Sequence, residues 1–324
     1  MKVHMRPSNR IAELQNITVP DAESVSIIIP TRNRRSSLES TVRTIVSQTV
    51  LPTELLIIDQ SANDRSERAV QAVLISAPEN VRATIRLVYI RDPSISGGAV
   101  ARNRAMEMAS GETWLFLDDD VDLEPDFIEQ ILAAYHRYPE AVGVSGVVTN
   151  YGAPGFSSRL WSRLFCTGPF WDERQPIYWK ATKGIRGKVQ KVRKFGAGLM
   201  SFRASAIRTH RFDATLKGVS DGEDVDFCAR LDRSSVLLIT PSARLVHKQS
   251  PVGRSREHWL VRHARTAGYL YRRNWAYGIR NRLAFAWLNC GYLTVAIVNA
   301  IRRGSTAPFF DYRRAIQESK ALVH

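Results

Sequence analysis

Apolar and polar positions along the first half of the chain alternate between two rhythms. "SVSIIIP" (Ser24 to Pro30) and "ELLIIDQS" (Glu54 to Ser61) are short, β-branched apolar runs ending in proline or polar residues, which predicts two buried strands. Between them Leu38, Val42, Ile45 and Val46 recur at helical spacing, with Ser36 or Ser37 available as N-cap and Glu39 in the first turn. Strand, helix and strand in this order predict a βαβ unit. "IRLVYIRD" continues as a third strand, "GGAVARNRAMEMAS" as a helix opened by glycines, and "TWLFLDDD" as a fourth strand. Parallel sheets bind ligands outside the carboxyl ends of their strands, where Thr31-Arg32, Asp59 and Asp118 to Asp120 fall.

Three consecutive carboxylates repel one another, and two readings accommodate them. They form a solvated acidic turn continued by Asp122, Glu124 and Asp126, or they are hard oxygen ligands for Mg²⁺ or Mn²⁺ that bridge the protein to a diphosphate. No Gly-x-Gly-x-x-Gly follows the first strand and no Walker-type loop occurs, so dinucleotide and P-loop readings lack their phosphate cradle.

The 324 residues, 44% hydrophobic, suffice for one large domain or two smaller ones. Cys166, Cys228 and Cys290 lie far apart, which argues against a disulfide framework and a thiolate zinc site and fits a reducing compartment. The first twenty residues are basic without a continuous apolar core, so a secretory signal is not expected and the chemistry is expected in the cytosol. The net charge of +15 is uneven: from Pro251 onward there are thirteen Lys/Arg against three Asp/Glu, and Lys180 to Lys194 holds seven basic residues and no acid. A nearly neutral body with one basic loop and one basic tail suits local contacts with phosphates or an anionic membrane surface; nucleic acid is not expected as a partner.

"VSIIIPTRNRRSSLESTVRTIVSQT", "LLIIDQS", "GGAVARNRAMEMASGETWLFLDDDV" and "GEDVDFCARL", in this order, resemble the family 2 glycosyltransferases. The resemblance runs from about Val25 to His247 and implies a GT-A fold: an α/β domain whose mostly parallel central sheet is flanked by helices. It also implies an inverting transfer of a sugar from a nucleotide diphosphate donor to an acceptor hydroxyl. By position, Pro30, Thr31, Arg32 and Asp59 would line the nucleoside pocket, with Asp59 accepting a hydrogen bond from the base. An aspartate closing a strand is also an ordinary turn residue. The commonest pattern has a second acid and a glycine after this aspartate; here Gln60-Ser61 follow.

Gly97 and Gly98 would let the backbone approach the donor, with Arg102 and Asn103 facing the pocket; helix packing accounts equally well for Asn103. Asp118 and Asp120 match the family's Asp-x-Asp. Asp120 would bind the divalent ion, and Asp118, with Asp119 beside it, would contact the nucleotide or the ion's waters. Of the pair in "GEDVDF", Asp224 would be the base and Glu223 would bind or orient the acceptor, although acids are also favoured at helix N-termini. Gly196 and Gly198 in "FGAGLMSFRAS" would lie beneath donor sugar and acceptor, or mark a bulged core strand. His247 would be a metal or diphosphate ligand, or a surface histidine. The basic loop would close over the diphosphate or a phosphorylated acceptor, or simply be solvated.

Beyond Pro251 aromatics mix with arginines, and Leu283 to Ile301 carries no charge before Arg302-Arg303. Asn289, Thr294 and Asn299 weaken a membrane span, and a helix lying in the interface is expected; a buried helical hairpin or dimer contact is the alternative. The expected organisation is an N-terminal extension (1–23), a GT-A domain (24–250) and a basic, aromatic-rich helical region (251–324). A saccharide or lipid-linked acceptor at the inner face of the cell membrane follows from the membrane reading. Two other functions keep parts of this pattern: a nucleotide-sugar-binding module without transfer, and a basic membrane or nucleic-acid adaptor.

Overall fold

The computed structural model describes residues 23–152, 155–166, 187–196, 198–216, 222–250 and 259–322. Most of the expected N-terminal extension, residues 180–186 of the basic loop and residues 251–258 lie outside the described residues. In chain order the elements are β1 (Val25–Thr31), α1 (Arg35–Val46), β2 (Glu54–Asp59), α2 (Arg65–Ser76), α3 (Glu79–Thr84), β3 (Arg86–Arg91), α4 (Gly98–Met106), β4 (Thr113–Leu117), β5 (Val121–Leu123), α5 (Phe127–Arg137) and β6 (Ala141–Val148). There follow α6 (Phe156–Phe165), β7 (Gln190–Val192), β8 (Leu199–Arg203), α7 (Ala204–Ile207), α8 (Glu223–Ala229), β9 (Val236–His247), α9 (Trp259–Leu270), a π-helical turn (Tyr271–Trp275), α10 (Ile279–Arg303) and α11 (Ala307–Ala321).

One sheet runs in the order β3-β2-β1-β4-β8-β6-β9-β5, with β7 alongside β9. The β3-β2-β1-β4 half is parallel, as the βαβ pattern predicts; β8 enters antiparallel, so the whole sheet is mixed. Alternate strand residues feed two cores. Ile27, Ile29, Leu55 and Ile57 pack with Leu38, Val42 and Ile45 of α1, while Ile28, Leu56, Ile58 and Phe116 pack with Ala101 and Ala105 of α4 on the other face. The helix predicted behind Ser36 or Ser37 begins earlier, with Arg34 at the N-cap position and no side-chain cap bond.

Register brings the strand ends level, with Thr31 opposite Asp59 and Asp59 opposite Arg91. The polar face of α1 then fixes the segment after the aspartates. Thr41 Oγ1 donates to the Val121 carbonyl at 2.8 Å, and Ser40 Oγ donates to Asp122 Oδ1 at 3.0 Å. Gln48 Nε2 donates to the Glu124 carbonyl at 2.8 Å. The C-terminal helices pack through Leu260, Ala264, Leu288, Tyr292, Ala296 and Ala315.

Candidate active site

Asp118, Asp119 and Asp120 leave β4 as a tight crossing into β5. They are not a solvated turn: Asp119 and Asp120 are 3% and 1% exposed. Each carboxylate instead has its own basic side chain beside it. Arg102 Nη2 reaches Asp118 Oδ1 at 3.1 Å, Arg34 Nη1 reaches Asp119 Oδ1 at 2.8 Å, and His247 Nε2 lies 2.9 Å from Asp120 Oδ1. Burial pushes Asp119 up to about 6, against the opposing pull of Arg34 and Thr31. Burial also pushes Asp120 upward, but His247, the Ser250 N–H and Arg34 together outweigh it and hold this carboxyl below its usual range.

His247 arrives by strand pairing, since β5 and β9 run antiparallel with Val121 opposite His247. Tyr151 Oη stands 2.6 Å from His247 Nδ1, and Asn150 brackets the His247 backbone, accepting from its N–H at 3.0 Å and donating to its carbonyl at 2.9 Å. The Ser250 N–H donates to Asp120 Oδ2 at 2.7 Å, and the Lys248 N–H donates to the Asp120 carbonyl at 2.8 Å. Asp118, Asp120 and His247 each offer a ligand atom within 4.8 Å of the others. Two hard oxygens and an imidazole nitrogen fit a Mn²⁺- or Mg²⁺-sized ion, and Asp120 Oδ1 is buried with no hydrogen-bond donor but the imidazole beside it.

Gly198 closes the other side of Asp118. Its φ is +79°, and a Cβ there would stand 2.1 Å from Asp118 Oδ2, so only glycine fits. Gly196 differs: a Cβ there would meet nothing within 4 Å.

Arg102, on the first turns of α4, is 3% exposed and joins two acids distant in sequence, Asp118 and Glu223. Glu223 and Asp224 open α8 behind Gly222, whose φ is +91°. Glu223 Oε1 takes the Arg102 guanidinium while Oε2 is buried without a partner. Asp224 is 4% exposed; burial first and the Glu223 charge second push its carboxyl up to about 7, against the Val225 N–H and Arg102. Asn103 points away from the acids and pins the Phe212 backbone, donating to its carbonyl at 2.9 Å and accepting from its N–H at 2.8 Å.

At the β1 and β2 ends, Asp59 is fully buried; Oδ2 accepts from Tyr89 Oη at 2.7 Å and Oδ1 from the Ser61 N–H at 2.9 Å. Thr31 Oγ1 donates to Asp119 Oδ2 at 2.6 Å, Pro30 is half-buried and Arg32 is exposed. Gln60 and Ser61, which replace the acid and glycine of the common pattern, lace this edge together: Gln60 Oε1 accepts from the Gly97 N–H at 2.8 Å and Ser61 Oγ from the Asn33 N–H at 2.7 Å. The glycine pair opens α4 with Gly98 half-buried.

Sequence reading missed Arg34 and Tyr151. The cluster "TRNRR" advertised arginine near the acids, but only the left-handed turn at Asn33, φ 55°, directs the following Arg34 to Asp119. Tyr151 carried no signal, being 96 residues from the histidine it meets.

A parallel half-sheet with an acidic crossing at its carboxyl edge and an antiparallel strand returning a histidine is the GT-A fold of glycosyltransferases. The model for "Glycosyl transferase family 2" matches residues 26–207, and the chain belongs to that family. Among relatives, it is 24% identical over 270 residues to the succinoglycan biosynthesis protein ExoM of Rhizobium meliloti, covering 82% of this chain and 81% of ExoM. It is 34% identical over 108 residues to TuaG of Bacillus subtilis, named for teichuronic acid biosynthesis; that match covers 33% of this chain and only 40% of TuaG. The mannosyltransferase PcManGT of Pyrobaculum calidifontis, solved with GDP-Man and Mn²⁺, superposes with a TM-score of 0.54 over 92% of this chain and 84% of its own, at 16% identity, which shows a shared fold.

Proposed function

We propose that this glycosyltransferase moves a sugar, with inversion, from a nucleoside diphosphate donor to a saccharide or lipid-linked acceptor hydroxyl in surface-polysaccharide or glycolipid synthesis. The observation that carries the reading is the convergence of Asp118, Asp120 and His247 beside a buried acid pair at the start of α8. Asp118 Oδ2, Asp120 Oδ1 and His247 Nε2 would hold a divalent Mn²⁺ or Mg²⁺ ion, which when bound supplies positive charge against the departing diphosphate. Binding it asks His247 to present a bare Nε2, so the Nδ1–H would donate to Tyr151 Oη, the contact at 2.6 Å.

Asp224 takes the acceptor's proton as the acceptor oxygen bonds to the anomeric carbon; the bond from that carbon to the diphosphate breaks and the nucleoside diphosphate leaves with the electron pair. A carboxyl pushed up to about 7 suits a base working near neutral pH. Glu223, held by Arg102, orients the acceptor side, while Pro30, Thr31, Arg32, Asp59, Gly98 and Asp119 shape the nucleotide side and Gly196 and Gly198 border the donor sugar. Asp59 would need to open a lone pair to the base, since its two oxygens already serve Tyr89 and Ser61.

Residues 24–250 form the catalytic unit in this reading, and residues 251–324 bring it to the cytosolic face of the membrane. The test is calorimetric titration with UDP, dTDP and GDP, with and without Mn²⁺ or Mg²⁺, on the wild type and Asp120→Asn. One diphosphate bound only with the ion, and lost in Asp120→Asn, is the expected result. Folded wild-type protein that binds none of the three would overturn the donor site.

A further inference from the structure

α8 carries a third acid, Asp226, two residues beyond Asp224. Residues two apart on a helix point about 200° from each other, so Asp226 leaves the helix on nearly the opposite side from Asp224. Asp226 is fully buried, and both its oxygens are met. Oδ2 accepts from Arg230 Nε at 2.9 Å and lies 2.8 Å from Arg230 Nη2, one turn on. Oδ1 accepts from Asn274 Nδ2, in the π-helical turn after α9, at 2.9 Å.

The same C-terminal segment grips the stretch packed against α8. Tyr269 Oη donates to Asp213 Oδ2 at 2.7 Å, and Arg273 Nη2 lies 3.4 Å from that oxygen. Phe212, next to Asp213, stacks on Phe227, next to Asp226, with ring centroids 4.3 Å apart. Leu216, Tyr269 and Leu270 form an apolar cluster with Val225 and Trp275 packed against it. Gly222, just before the acid pair, stands so close to α9 that a Cβ would lie 2.7 Å from Thr266 Cγ2. Tyr269 and Asn274 are five residues apart, and an α-helix would turn them about 140° from each other. The wider winding at Tyr271–Trp275, with its i→i+5 bonds, brings the fifth residue back toward the first and lets one helix reach both Asp213 and Asp226.

We infer that Asn274 and Tyr269 are positioning residues for sugar transfer: through Asp226 and Asp213 they fix α8, and with it the direction of Glu223 and Asp224. The inference rests on the acid pair proposed above, and adds to the machinery a part of the C-terminal helices, beyond residues 26–207 that the family model matches. With seven residues, α8 is too short to hold its shape without tertiary contacts. Arg102 holds its first residue and Asn274 its fourth, so the helix is tied at two points. Without the Asn274 bond, one oxygen of a buried carboxylate loses its donor; α8 relieves that cost by turning Asp226 toward water, which swings Asp224 off the acceptor.

The experiment compares the full chain as wild type, Asn274→Ala, Asn274→Asp, and the exchange of Asn274→Asp with Asp226→Asn, at pH 8. The exchange keeps the bond with its direction reversed, since an amide at the α8 position still accepts from Arg230 while donating to the new carboxylate. Amide hydrogen exchange over residues 223–229 reads the hold on α8. Release of nucleoside diphosphate to water, from UDP-, dTDP- and GDP-linked glucose, mannose and N-acetylglucosamine with Mn²⁺, reads the acid pair.

Asn274→Ala is expected to speed exchange in α8 by about tenfold while β1 and β4 exchange as in wild type. It should lower kcat by about 10–100-fold with the donor KM within about twofold. Asn274→Asp should do at least as much harm, and the exchange variant should restore both readings. Wild-type kcat and wild-type α8 exchange in Asn274→Ala overturn the inference. So does faster exchange spread over the whole sheet with kcat and KM altered together, or an exchange variant as poor as Asn274→Asp, since either makes Asn274 a general support of the fold. Wild type that releases no diphosphate from any donor overturns the transfer reading, and exchange in α8 alone then upholds or overturns the hold of Asn274.

Discussion

Replacing Asp224 by Asn should make the protein more stable and nearly inactive, and the sign of the first effect depends on pH. The carboxyl sits at the first turn of α8, 4% exposed, where burial and then the Glu223 charge push it from 3.8 up to about 7. A carboxyl raised in this way holds its proton more tightly folded than unfolded, so its ionisation destabilises the fold. Stability is lost as pH rises from about 4 toward about 7, and above that the full cost applies. Roughly three pKa units at 1.36 kcal/mol each give about 4 kcal/mol.

Asn is neutral and of the same shape, and the bonds from the Val225 and Asp224 N–H groups to the charged carboxylate are already counted within that shift. Asp224→Asn is therefore expected to be more stable than wild type by up to about 4 kcal/mol near pH 8, with the gain vanishing near pH 4. Urea denaturation at both pH values reads this directly. Turnover should fall by about 10²–10⁴, and the wild-type pH profile should rise through about 7 as the base loses its proton. A variant no more stable at pH 8, or a stability difference independent of pH, would refute the buried-charge argument; wild-type turnover would refute the role as base.

Two further changes probe the other half of the site. Tyr151→Phe removes the partner of His247 Nδ1 and should weaken Mn²⁺ binding about 10–100-fold in calorimetry, with little change in melting; unchanged affinity would show that Tyr151 does not orient the imidazole. Gly198→Ala forces a Cβ to within 2.1 Å of Asp118 Oδ2 at φ +79°, and should cost about 1–3 kcal/mol and abolish ion binding. Gly196→Ala, facing open space, should leave both unchanged, and equal effects of the two would discard the close-approach argument.

The sequence alone determined what is local. Two periodicities, a glycine-opened helix and acids at strand ends predicted the parallel half of the sheet and the edge where polar groups gather, because side-chain burial on a strand or helix repeats at a fixed interval. Four motifs in order were enough to indicate the family. Tertiary structure decided what depends on pairing between distant segments. Antiparallel register sets His247 opposite Val121 and so beside Asp120. The entry of β8 puts Gly198 against Asp118. The approach of α8 to α4 buries Arg102 between Asp118 and Glu223. The bond from Asn274 to Asp226 likewise exists only once the π-helical turn is brought against α8. No interval in the sequence encodes these contacts, because each is fixed by hydrogen-bond register or by the filling of a shared core, and both form only when the whole sheet is assembled.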